Sequence, residues 1–265
     1  MRANGRGNSG ILHTGRMRIE LATQPGVPGR RNEDFASVGG GADGAFVLLD
    51  GVTPPEDGGT GCRHGVPWFV GRLGGALLNL ACGERELPLA DCLSAAIGRT
   101  AAAHRDTCDL THRRTPQATV VIARWDAERV EYLVLSDSVL LLADGRAVRA
   151  VRDDRIERLA ALGPVTDAHR NAEGGFFTAA ADPAVAGRAV TGALPRAAVR
   201  AMAAMTDGAS RWVEVFGEGD WADCLTLLAK EGPQALIDRV RAAELVTNRR
   251  LGKRHDDATA LYVVP

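Results

Sequence analysis

Apolar and polar positions along this chain follow two rhythms, and each rhythm predicts a kind of element. The clearest run is AFVLL at 45–49, followed directly by Asp50 and Gly51. Five uninterrupted apolar residues predict a strand buried on both faces. The acid behind them then stands where the core meets solvent. Residues 17–23, MRIELAT, alternate and predict an edge or half-buried strand. A strand starting at 34–38 pairs with 45–50 across GGGADG. The 3.6-residue rhythm takes over at Val66, Phe69, Val70, Leu73, Leu77 and Leu80. It returns at Leu89, Leu93, Ala96, Ile97 and Ala101, which makes two amphipathic helices. Between strand and helices, TPPEDGGTG at 53–61 excludes regular structure and is read as either a rim loop over a site or a plain connector.

Strands follow at 118–125, 130–135, 139–143 and 147–151, with the turn signals DAER and Asp144-Gly145 between them. Ser136, Asp137 and Ser138 interrupt the apolar pattern. Residues 153–195 are turn-rich, with a short helix at 155–162 and another around 183–190. A strand at 198–205 runs into Thr206-Asp207-Gly208, and helices are predicted at 209–215, 220–230 and 233–246. His255-Asp256-Asp257 introduces a closing strand, ATALYVV. Short antiparallel strands alternating with helix pairs predict an α+β chain of packed antiparallel sheets with helices outside. The Gly/Asn/Arg-rich residues 1–16 lack periodicity and are expected to be a disordered tail. Residues 17–265 are expected to form a single domain.

Composition narrows the function classes. Thirty-two basic and 33 acidic residues give a net charge of −1. No basic field marks nucleic acid or an anionic membrane as the partner. No span of about 18 apolar residues occurs, and the N-terminal residues lack the apolar core of a secretory signal. A cytoplasmic location is the expectation. The five cysteines, Cys62, Cys82, Cys92, Cys108 and Cys224, are odd in number and include no CxxC pair. They are expected to be reduced, mostly buried thiols.

The chemistry lies in the acids. Glu33 with Asp34, Asp50, Asp137, Asp207, and Asp256 with Asp257 all adjoin predicted strand ends. If those ends converge, the carboxylates repel one another unless divalent cations bind. An oxygen-only donor set favours Mg²⁺ or Mn²⁺ over Zn²⁺. Such ions activate water for phosphoester hydrolysis. An isolated Asp-Gly is ordinarily a turn, and Asp43-Gly44, Asp57-Gly58 and Asp144-Gly145 are assigned so.

The order of six pieces adds to this: RNED at 31–34, LLDG at 48–51, ATVVIA at 118–123, LSDS at 135–138, MTDG at 205–208 and HDDATALYVV at 255–264. The set resembles the protein phosphatase 2C family, the metal-dependent protein serine/threonine phosphatases. The resemblance implies an αββα sandwich and a phosphorylated protein substrate. It also implies two Mn²⁺ or Mg²⁺ ions, with a third, weaker site found in many members. By resemblance, Asp50 would bridge the two metals and the Gly51 carbonyl would bind one. Asp207 and Asp256 would complete the other metal's shell, and Glu33 and Asp34 would act directly or through water. Asp137 with Asp207 would match the third site. Asp50, Asp207 and Asp256 would then act in catalysis through metal-bound water.

The departures are specific. Gly29 stands where many members carry a phosphate-binding Arg, which leaves Arg30 or Arg31 as substitutes. VTPPEDGG replaces a common His-Gly-Gly, so His64 and His255 become candidate proton donors. Asp257 stands where Asn is usual, and Ser136 where Gly is common. These changes leave two other readings open: a weakly catalytic binding module of the same fold, and a phosphohydrolase of a small phosphoester.

Overall fold

The computed structural model describes residues 17–55, 59–247 and 253–265. The 1–16 tail and the Asp57-Gly58 turn lie outside the described residues. In chain order the elements are β1 (Arg18–Gln24), β2 (Phe35–Gly40), β3 (Gly44–Leu49), α1 (Val66–Gly83) and α2 (Leu89–Ala102). Then come β4 (Val120–Trp125), β5 (Arg129–Leu135), β6 (Val139–Ala143), β7 (Val148–Val151) and α3 (Arg155–Leu162). The chain continues through β8 (Val190–Pro195), β9 (Ala201–Met205), α4 (Asp207–Glu214), α5 (Trp221–Glu231), α6 (Pro233–Val246) and β10 (Ala258–Val264).

The strands form two antiparallel five-stranded sheets, ordered β1-β10-β9-β6-β7 and β2-β3-β4-β5-β8. The continuous apolar runs become intelligible once their two faces are separated. In β3, Ala45, Val47 and Leu49 pack with Leu73 and Leu77 of α1 and Leu93 and Ile97 of α2. The alternate residues Phe46 and Leu48 pack against Leu140, Met202, Leu261 and Val263 of the other sheet. That sheet turns Val139, Leu141, Ala203 and Ala260 towards Trp212, Leu228, Leu236 and Ile237 of the C-terminal helices. Strands covered on both faces must be apolar at every position, and the result is the αββα sandwich expected from the pattern.

Three local expectations change. The helix placed at 183–190 is a short 3₁₀ turn, Pro183–Arg188, and the edge strand β8 follows it unannounced. VTGALP carries Gly and Pro, which depress strand propensity. Its pairing is made by β5, where Tyr132 lies opposite Gly192. The helix expected from 209 begins at Asp207, so this acid, expected at the end of the strand, opens α4. Of the five cysteines, expected to be mostly buried, only Cys92 and Cys224 are buried. Cys62 and Cys108 sit in loops and, like Cys82, are half-buried. Among the described residues no helix is long and apolar enough to cross a membrane.

Candidate active site

Antiparallel register brings one end of both sheets together. Asp34 precedes β2, Asp50 follows β3, Asp137 lies in the β5–β6 turn, Asp207 follows β9, and Asp256 precedes β10. Because Phe35 pairs with Leu49, Val120 with Leu135 and Val139 with Met205, all these junctions fall at the same end.

Each acid has a distinct setting. Asp34 is buried, and its Oδ2 accepts from the Thr206 and Thr259 hydroxyls at 3.0 and 2.7 Å. Its Oδ1 is buried without a partner. Burial pushes this carboxyl up to about 8, the Asp257 and Asp207 charges add to the rise, and the two hydroxyls oppose it. Asp50 accepts the Asp207 backbone N–H at 3.4 Å, so the first turn of α4 points at it. Its own N–H donates to Thr119 Oγ1 at 3.2 Å, and Thr119 Oγ1 lies 2.6 Å from Ser138 Oγ in the β5–β6 turn. Burial and the charges of Asp207, Asp34 and Asp137 hold the Asp50 carboxyl well above the usual range. Burial, with Asp207 second, pushes Asp137 up to about 7. Asp207 is raised by burial and then by Asp256.

Gly51 is tied by a bridge to Ala118, and a Cβ there would meet Val66 Cγ1 at 2.3 Å and the Glu33 carbonyl at 2.4 Å. Ser136 has φ +69°, the left-handed region that glycine occupies without cost. Its hydroxyl bonds Asp137 Oδ1 at 3.2 Å.

Glu33 and Asp256 share a cavity of about 200 Å³ with Arg30, Arg31, Thr53 and Lys253. Burial raises the Glu33 carboxyl, against a hydrogen bond from the Thr53 hydroxyl. Asp256 accepts from Lys253 Nζ at 2.9 Å and from Arg211 at 3.4 Å. His255 lines the same cavity and holds Glu244 through Nδ1 at 2.6 Å. His64 is absent from that lining. It stands beside Cys62 and Cys108, with Nδ1 3.7 and 3.3 Å from their sulfurs. The structure thus places this candidate proton donor beside two thiols and outside the lining of that cavity.

Several contributions become visible only in the folded chain. Asp257 uses both carboxylate oxygens to accept backbone N–H groups, from Gly26 at 2.7 Å and Glu33 at 2.6 Å. An amide offers one acceptor oxygen where a carboxylate offers two, so Asp suits this paired role. A Cβ on Gly208 would stand 2.0 Å from the Asp257 carbonyl, so α4 can approach this segment only through glycine. Glu244, fully buried on α6, receives Arg211 at 2.6 Å, Arg241 at 2.9 Å and His255. Arg241 in turn donates to the Asp256 carbonyl at 2.7 Å.

The orphaned Asp34 oxygen and the mutual repulsion of half-buried carboxyls fit an oxygen-ligated divalent cation. A pH prediction follows. For a carboxyl raised on folding, the stabilisation is complete below the unfolded pKa of about 3.9 and is lost as pH rises through the folded value. With Asp137 near 7 and Asp34 near 8, chelated protein is expected to lose melting temperature progressively from about pH 4 up to about pH 8. Mn²⁺ is expected to restore it at the alkaline end. Differential scanning calorimetry with and without chelator measures this, and a flat chelated profile would refute it.

No family model matches the chain, and no curated protein matches it in sequence. Solved structures do match. The serine/threonine phosphatase Stp1 from Staphylococcus aureus superposes with a TM-score of 0.64 at 14% identity, over 94% of this chain and 95% of that one. The Mycobacterium tuberculosis serine/threonine phosphatase PstP/Ppp gives 0.62 at 17%, over 94% and 98%. The catalytic domain of PstP, solved in complex with two manganese ions, gives 0.59 at 17%, over 94% and 97%. At these identities the likeness speaks for architecture: the chain has the αββα fold of bacterial serine/threonine phosphatases.

Proposed function

We propose that this chain belongs to the protein phosphatase 2C family and is a metal-dependent phosphoserine/phosphothreonine phosphatase. The observation that carries the reading is the convergence of Asp34, Asp50, Asp137, Asp207 and Asp256 at one end of the sandwich, with a buried carboxylate oxygen left unpartnered. In this reading Asp50, Asp207, Asp256, Glu33, Asp34 and Asp137, with the Gly51 carbonyl, hold Mn²⁺ or Mg²⁺. When bound, such ions supply Lewis-acid charge and bring the pKa of water into the neutral range.

The chain's own residues do the rest. Arg30, Arg31 and Lys253 put positive charge on the cavity wall that also carries Glu33 and Asp256. A phosphomonoester entering there meets guanidinium and ammonium donors suited to its oxygens. Asp257 fixes the segment from Gly26 to Glu33, so the arginines enter the cavity from an anchored backbone. Thr53 ties the loop after β3 to Glu33 and to Lys253. His255, oriented by Glu244, is the candidate to protonate the leaving oxygen.

The test is phosphate release from a phosphothreonine peptide and an aryl phosphate, each with Mn²⁺, Mg²⁺ or chelator. Peptide turnover that requires the cation is expected. Turnover of the small ester alone would favour a small-molecule phosphohydrolase. Cation binding and phosphopeptide binding without turnover would favour a binding module. Arg30→Ala and Arg31→Ala separate the phosphate ligands. The residue that contacts phosphate should lose about tenfold or more in kcat/KM, the scale of a charge-assisted hydrogen bond. Wild-type kinetics in both variants would remove the arginines from the mechanism.

A further inference from the structure

A second cluster of donors lies away from the carboxylates. Cys62 and His64 belong to the segment between β3 and α1, while His104 and Cys108 follow α2. One ligand atom from each of the four lies within 4.8 Å of all the others. Cys62 Sγ is 3.2 Å from Cys108 Sγ, 3.7 Å from His64 Nδ1 and 3.5 Å from His104 Nδ1. Cys108 Sγ is 3.3 Å from His64 Nδ1. A tetrahedral Zn²⁺ with bonds of about 2.3 Å to sulfur and 2.0–2.1 Å to nitrogen requires ligand-to-ligand edges of roughly 3.3–3.8 Å. The three sulfur–nitrogen distances of 3.3–3.7 Å bracket the roughly 3.5 Å such an edge requires, while the 3.2 Å between the sulfurs must open by about half an ångström to reach the roughly 3.8 Å of a sulfur–sulfur edge.

The surroundings suit a closed site. The Trp68 ring stacks on His64 with centroids 4.2 Å apart and planes at 24°, and lies 5.1 Å from His104. His104 is 3% exposed. The His64 backbone N–H donates to Cys62 Sγ at 3.4 Å, a contact that supports a thiolate. Two thiolates and two neutral imidazoles cancel the charge of a divalent ion, so the complex can sit under an indole without an uncompensated charge. Sulfur and imidazole select Zn²⁺, in contrast to the oxygen-only acidic centre. Four protein ligands leave no open position, the mark of a structural site.

We propose that Cys62, His64, His104 and Cys108 bind one Zn²⁺ in a closed tetrahedral site that pins the β3–α1 segment to the exit of α2. The opposite end of that segment is fastened at Gly51 by its bridge to Ala118. Between these anchors lies Thr53, which holds Glu33 and Lys253. Apart from the cluster, the described part of the segment near Cys62 is joined to the α2 exit by the Asp109 N–H to the Gly61 carbonyl at 2.8 Å. Zinc would add a fastening there to that single hydrogen bond.

The test uses the full chain purified under reducing conditions without chelator. Elemental analysis is expected to find about one zinc per chain. Replacement by Co²⁺ is expected to give the thiolate-to-cobalt charge-transfer band and the strong visible bands of tetrahedral coordination. Carboxylate ligands cannot produce that charge-transfer band. The double variant Cys62→Ser/Cys108→Ser should lose both zinc and band, while Cys92→Ser and Asp50→Asn keep them. If the double variant does not fold, the cobalt spectrum of the wild-type chain decides alone. Folded wild-type protein that holds no zinc and develops no thiolate band would overturn the proposal. So would a native mass lower by two hydrogens, with Cys62 and Cys108 linked as a disulfide.

Discussion

Asp50→Asn is expected to abolish cation-dependent phosphate release, by about 10³-fold or more, while leaving the fold intact. Losing one preorganised charge-stabilising contact acts on about this scale, and Asp50 sits at the centre of the acidic group. Its carboxyl feels Asp207, Asp34 and Asp137 together and accepts from the first turn of α4. An Asn keeps the shape and one acceptor but removes the charge. Without metal, the variant should be at least as stable as wild type, because three like-charged neighbours lose a repulsive partner. Asp207→Asn should lose activity comparably. Steady-state phosphate release with Mn²⁺, paired with calorimetric titration of the cation, measures both effects. Near-wild-type turnover in either variant would remove the acidic group from the reaction.

Glu244→Gln is expected to cost about 3–5 kcal/mol of stability, the usual penalty for leaving buried charge without its partner. Glu244 has no exposed side-chain surface, and Arg211 beside it is 9% exposed. One carboxylate serves Arg211, Arg241 and His255. A glutamine retains a single acceptor oxygen and adds donors that face other donors. The melting temperature of a chain this size should fall by roughly 10 °C. The loss should also reach the acidic centre. Arg211 contacts the Asp256 carboxylate and Arg241 holds its carbonyl, so weaker Mn²⁺ binding is expected to accompany the lower stability. Chemical denaturation with and without Mn²⁺ tests both parts. An unchanged midpoint would show that the buried network contributes little.

Legibility in the sequence followed distance along the chain. AFVLL announced a doubly covered strand because both faces of β3 meet apolar neighbours, and local composition records that. The strand-end acids were readable because each interrupts an apolar run. β8 was not readable, because an exposed edge strand with Gly and Pro depends on its partner β5 for definition. Asp257 looked like a departure from a motif; its role came into view only with the two backbone N–H groups it accepts. Glu244 sits in RAAELV, indistinguishable from any polar helix position until Arg211 and Arg241 meet it. Cys62 and His64 are separated from His104 and Cys108 by a helical hairpin, so no short spacing betrays them.

The strand order has a consequence for synthesis. β10 lies between β1 and β9, and among the described residues it is the sole strand partner of β1, with Arg18 opposite Val264. A ribosome releasing this chain delivers β2 to β5 as a meander that can pair as it emerges. β1 is made before them and must wait for a partner until the β10 segment is out. During that interval β9 presents an unpaired apolar edge, open to association with other nascent chains. Asp256 arrives with the same late segment, so the acidic centre becomes complete only when that edge is closed.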